Sequence, residues 1–128
     1  MKLKFTAGDV SYALEDGIHM LSLVDDPSSP HDYVIFQRGT DFDDQDRALG
    51  QDTYYVEIAE NGVAGYGGVA SISYRDRALE IRLEGNAKWR QRLELVEVEF
   101  KTSSAQSEML KQGLLNVFAG TSTDLSFS

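Results

Sequence analysis

Leu79-Glu80-Ile81-Arg82-Leu83 and Val96-Glu97-Val98-Glu99-Phe100, with Ser103 to Phe118 behind them, decide the class of fold. In the first two pieces apolar and charged residues alternate strictly, the signature of a strand with one face in a core and one in water. In the third, Leu110, Leu114, Val117 and Phe118 recur at helical spacing. Ser103 with Gln106 fits a capping box, in which each side chain satisfies a free backbone donor of the first turn. Gly120 is a natural stop. No other stretch predicts a long helix. Strands that run ahead of a single helix predict an α+β fold. The expected form is a mainly antiparallel, twisted sheet of about five to seven strands, packed on one face by the C-terminal helix.

Moving outward, the N-terminal half supplies more strands. Leu3 and Phe5 alternate with lysines and Thr6, and Val10, Tyr12 and Leu14 follow the same period. Asp16-Gly17 marks a tight hairpin turn, which needs positive φ. His19–Val24 and Tyr33–Arg38 carry apolar runs with little polar face, so both are expected at the sheet centre, covered on both sides. Asp25–Pro30 is loop, because proline and small polar residues break both periods. Residues 39–53 lack strand periodicity. Asp43 or Asp44 can cap a single helical turn that reaches Leu49 and ends at Gly50. Tyr54, Val56 and Ile58 resume the alternation, and Asn61–Gly68 is expected as a loop or bulge. Residues 1–120 then form one domain, and the tail 121–128 is expected to fray.

Bulk properties narrow the function. The chain has 128 residues, 41% of them apolar and 26% charged, without cysteine. That suits one globular domain able to bury a core without a metal or disulfide staple. It also removes thiol nucleophiles and thiolate metal sites. The first residues are not followed by an apolar stretch of signal-peptide length, and no window approaches the ~18 apolar residues of a membrane span. A cytoplasmic protein is expected. The net charge of −9 argues against nucleic acid and anionic membranes as partners. Residues 15–60 hold twelve acidic side chains against Arg38 and Arg47, a net −10, so one stretch carries the whole excess.

Several constellations invite chemistry, and each meets an objection. Asp41-Phe42-Asp43-Asp44-Gln45-Asp46 is reminiscent of a calcium loop, but Gln45 and Asp46 stand where that loop needs an oxygen ligand and a glycine. A solvated acidic loop with a helix cap, a protein-binding acidic patch and a calcium or small-ligand site all remain open for it. Adjacent aspartates in a polar loop are the opposite of the desolvated cleft that acid–base catalysis requires. His19 and His31 form no helical zinc pair, and no serine lies in a nucleophile elbow. Gly62, Gly65, Gly67 and Gly68 lack the lysine of a phosphate loop and lead into a strand. Tyr66 beside them either packs or stands at a loop tip as a binding hot spot. Lys88-Trp89-Arg90-Gln91-Arg92 reads as a surface connector whose Trp89 caps the core. No catalytic set, metal site or cofactor site is expected.

The stretch Tyr33–Leu83 resembles immunity protein family ten of bacterial polymorphic toxin systems. The matching pieces are Phe36-Gln37-Arg38, Asp41-Phe42-Asp43-Asp44-Gln45-Asp46, Leu49-Gly50-Gln51-Asp52-Thr53-Tyr54-Tyr55-Val56-Glu57 and Gly65-Tyr66-Gly67-Gly68 with the hairpin that follows. The resemblance implies a cytoplasmic antidote that binds one cognate toxin and blocks it. If that toxin is a nuclease, a −10 segment can mimic the polyanionic substrate and be steered into a basic cleft. The residues expected to face the toxin are Asp41, Asp43, Asp44, Asp46, Asp52 and Tyr66. The competing reading is a calcium- or small-ligand-binding module using Asp41–Asp46.

Overall fold

Alternation in the chain becomes two faces in space. The computed structural model of the protein describes residues 1–58, 63–101 and 104–128. Among these lie β1 (Lys2–Ala7), β2 (Asp9–Glu15), β3 (Ile18–Val24), β4 (Tyr33–Gly39), α1 (Asp44–Ala48), β5 (Tyr55–Ile58) and β6 (Val63–Tyr66). They are followed by β7 (Val69–Arg75), β8 (Ala78–Leu83), a 3₁₀ turn (Lys88–Arg90), β9 (Leu95–Phe100), α2 (Ser104–Phe118) and β10 (Asp124–Phe127). Ser103, and with it the expected capping box of α2, lies outside the described residues.

The α+β class is as expected, but the strands divide between two five-stranded sheets. The first runs β1-β9-β8-β7-β10 and the second β2-β3-β4-β5-β6. Pairing is antiparallel except for β1 with β9 and β10 with β7. The single sheet expected from the sequence fails at Gly8. Its N–H donates to Val24 O and Asp25 O at 2.8 and 3.0 Å, and a Cβ there would sit 2.5 Å from Asp25 O. The chain turns this corner from one sheet into the other with a single residue, because glycine alone permits so close a backbone approach. Period-two alternation tells inside from outside but not which sheet a strand joins.

The inward faces of both sheets and one side of α2 share a single buried cluster. Leu110, Leu114, Val117 and Phe118 are all buried in it, as their spacing predicts. Phe118 meets Phe36 edge-on at 5.2 Å and Tyr54 at 4.5 Å between ring centroids. The outer face of the first sheet is polar and balanced, with Lys2–Glu97, Lys4–Glu99 and Arg82–Glu80 ion pairs of 2.8 to 3.2 Å.

Two local expectations need correction. Residues 63–66 of the expected glycine loop form β6, while Asn61 and Gly62 lie outside the described residues. The tail expected to fray carries β10, whose Leu125 packs on the core. It is anchored through buried Thr123, whose Oγ1 donates to Val69 O at 2.7 Å and hydrogen-bonds Tyr54 Oη at 3.0 Å. Two apolar residues in a four-residue strand are too short a pattern to be seen in sequence.

Candidate protein-binding site

The acidic loop folds as its residues dictate. Asp43 is the N-cap of α1: its Oδ1 accepts from Asp46 N at 2.7 Å, while Asp46 Oδ2 accepts from Asp43 N at 3.0 Å. That reciprocal box satisfies two donors of the first turn. Asp44 is exposed and pairs with Arg47 at 3.2 Å. With Asp43 and Asp46 held by the helix start, the loop does not arrange its carboxylates around an ion. Among the described residues no three histidine, aspartate or glutamate side chains converge as metal ligands.

At this end of the second sheet lies a cleft of about 450 Å³. Asp16 and Ile18 wall it from the β2–β3 turn, Asp41, Phe42 and Asp46 from the loop after β4, and Tyr55 and Tyr66 from the neighbouring strands. Of the six expected site residues, the fold therefore brings Asp41, Asp46 and Tyr66 to one cleft. Asp43, Asp44 and Asp52 stand outside its walls. Tyr66 is 43% exposed and leans on Tyr55 at 5.3 Å. Arg38 contributes to the wall, but its guanidinium donates to Val117 O and Ala119 O at 2.9 and 2.6 Å. It thus compensates the negative C-terminal end of α2.

The acidic stretch, contiguous in sequence, is split in space. Glu15, Asp16, Asp41, Asp43, Asp44, Asp46 and Asp52 gather at the cleft end. Asp25, Asp26 and Asp32 gather at the opposite end of β3 and β4, about 20 Å away along a seven-residue strand. There Asp25 Oδ1 accepts from the N–H groups of Asp26 and His31 at 2.7 and 3.1 Å. Burial raises its pKa, but backbone donors from Asp32, His31 and Asp26 outweigh that and hold it below the usual value.

Between these ends the outer face of the second sheet is open, which corrects the expectation that β3 and β4 are covered on both sides. Only their inward residues, Leu21, Leu23, Val34 and Phe36, are fully buried. Across the outer face Ala13, Met20, Gln37, Tyr55 and Tyr66 form one row, and Ser11, Ser22, Ile35, Glu57 and Ala64 the next. Ile18 and Met20 are 44% and 41% exposed. Glu57 accepts from Tyr33 Oη at 2.7 Å and Tyr55 Oη at 3.2 Å. The Glu57 bond, then burial, raises the Tyr33 pKa; burial, then the Glu57 bond, raises that of Tyr55. Apart from Tyr66, sequence reasoning missed these residues. The signal for Met20 and Ile35 was the second parity of the apolar runs, which it assigned to a covering layer.

The glycine loop is not a phosphate cradle. Gly65 and Gly68 leave room for the Trp89 indole, which packs where their Cβ atoms would stand. Trp89 also packs against the core, as expected of it.

Among the described residues no helix is long and apolar enough to cross a membrane. Comparison with curated proteins gave no match. Comparison with family models matched residues 6–108 to the family described as Immunity protein 10.

Proposed function

The chain belongs to the Immunity protein 10 family, and on that premise we propose that it neutralises one cognate bacterial toxin domain by binding it through an acidic surface. In this reading the protein works in the cytoplasm and performs no chemistry of its own. The observation that carries it is the cleft that Asp16, Asp41 and Asp46 wall together with Tyr66, with Glu15, Asp43, Asp44 and Asp52 beside them on the same chain segments. A surface of one sign attracts a basic partner and raises its encounter rate. A toxin whose active cleft is basic, such as a nuclease, fits this charge.

The test reverses charge without touching the α1 cap. Asp41→Lys, Asp44→Lys and Asp52→Lys together change the local charge by six units. Exposed charges act mainly on association, and salt screens them with a Debye length of ~8 Å at physiological strength. The triple variant should keep its melting temperature and associate more slowly with the toxin domain. The deficit should shrink as salt rises, and cells expressing the toxin should be less protected. A folded triple variant with unchanged low-salt kinetics and full protection would remove the acidic end from the interface.

A further inference from the structure

We propose that the open outer face of the second sheet is the docking surface. Its occupant is a basic protein surface that lays apolar side chains over Ile18, Met20 and Ile35 and inserts an arginine or lysine into the cleft between Asp41 and Tyr66. This rests on the immunity reading and deepens it.

Three observations on the same face support this assignment. First, β3 and β4 are apolar on both parities, the pattern of strands covered on both sides, yet the described residues cover only one. Met20 and Ile18 remain more than two-fifths exposed on a face that also carries Ile35, Tyr33, Tyr55 and Tyr66. The outer face of the other sheet, by contrast, is laid over with ion pairs. Secondly, the aromatic residues are already held. Tyr33 and Tyr55 are tied to Glu57, and Tyr66 leans on Tyr55, so little side-chain freedom is lost when a partner covers them. Thirdly, the charge specifies the partner. Asp16, Asp41 and Asp46 wall the cleft, and the cation beside them, Arg38, is engaged with the end of α2. An entering guanidinium would meet carboxylates for charge-assisted hydrogen bonds and the Tyr55–Tyr66 pair for ring contact. A face with an apolar centre and a charged rim is the usual anatomy of a protein interface.

The experiment uses the full chain and, as probe, a purified toxin domain taken from whatever toxin gene lies beside the gene for this chain. Wild-type binding and protection are measured first; if both are absent, the immunity reading falls and the docking face with it. Given wild-type binding, Met20→Glu and Tyr66→Ala should each raise the off-rate about tenfold or more, at high salt as well as low. Ser73→Glu, on the outer face of the other sheet, should leave binding unchanged. Hydroxyl-radical footprinting of the wild-type complex should protect Met20, Tyr55 and Tyr66, a readout that needs no variant to fold. If the wild type binds and protects but these residues stay as reactive as in the free chain, and the variants bind normally, the docking face is overturned and the immunity reading stands. A wild-type dimer that Met20→Glu dissociates would also overturn it, since a second copy would be the occupant.

Discussion

Phe118 shows how much one side chain can hold. It ends the apolar stripe of α2 and touches Phe36 from the second sheet and Tyr54 from the segment leading into β5. Removing it leaves a cavity lined by rings that cannot collapse into it. Phe118→Ala should therefore cost about 3–5 kcal/mol, read from urea unfolding. Its role was legible in the sequence, because Leu110, Leu114, Val117 and Phe118 can share only one helical face. Glu57 was not legible. It looked like the polar half of an ordinary alternation; Tyr55 lies two residues back on its own strand, but only the strand order brings Tyr33 to its carboxylate. A long-range pair of this kind has no local period to reveal it.

At the scale of elements, parity was readable and partnership was not. The residues of β8 and β9 that alternate inward are the buried ones, and α1 starts at Asp43 with the cap that its sequence implies. What the strings could not say is which strands share a sheet. That choice is made at Gly8, where the backbone itself excludes a side chain. Gly8→Ala sets a methyl group against a backbone carbonyl, which cannot swing away as a side chain would. It should destabilise the fold by about 1–3 kcal/mol, the cost of forcing an atom into packed space. The loss would appear as a lower urea midpoint with an unchanged slope. β10 eluded sequence reading for a different reason: its four residues pair with β7, far away in the chain, and Thr123 anchors them by reaching Val69.

For the whole molecule, the shifted groups define a window of pH. Tyr33 and Tyr55 have raised pKa values, so the fold favours their neutral forms. That contribution is complete below the ordinary tyrosine value of about 10 and is lost as pH rises through the folded values. Tyr54 adds to it, since burial raises its pKa against the opposing bonds from Thr123 and Val69. Asp25 is lowered, so its contribution is complete above the ordinary aspartate value and is lost as pH falls through the folded one. Stability should be flat across neutrality and fall on both sides, as thermal unfolding at a series of pH values would show. In an ultraviolet titration Glu57→Gln should let Tyr33 ionise at lower pH, because the carboxylate that raises it is gone. A flat alkaline limb, or a Tyr33 titration untouched by Glu57→Gln, would contradict this account.

The strands of the second sheet carry two sets of positions with different obligations. Leu21, Leu23, Val34, Phe36, Val56 and Ile58 answer to the core, while Ile18, Met20, Ile35, Gln37 and Tyr55 answer to whatever lies outside. Because the sets interleave one residue at a time, outer and core positions can mutate separately within the same strand. An exposed position can be exchanged for well under the cost of a core truncation. A lineage pressed to follow a changing opponent could rewrite one set of letters and leave the other unread.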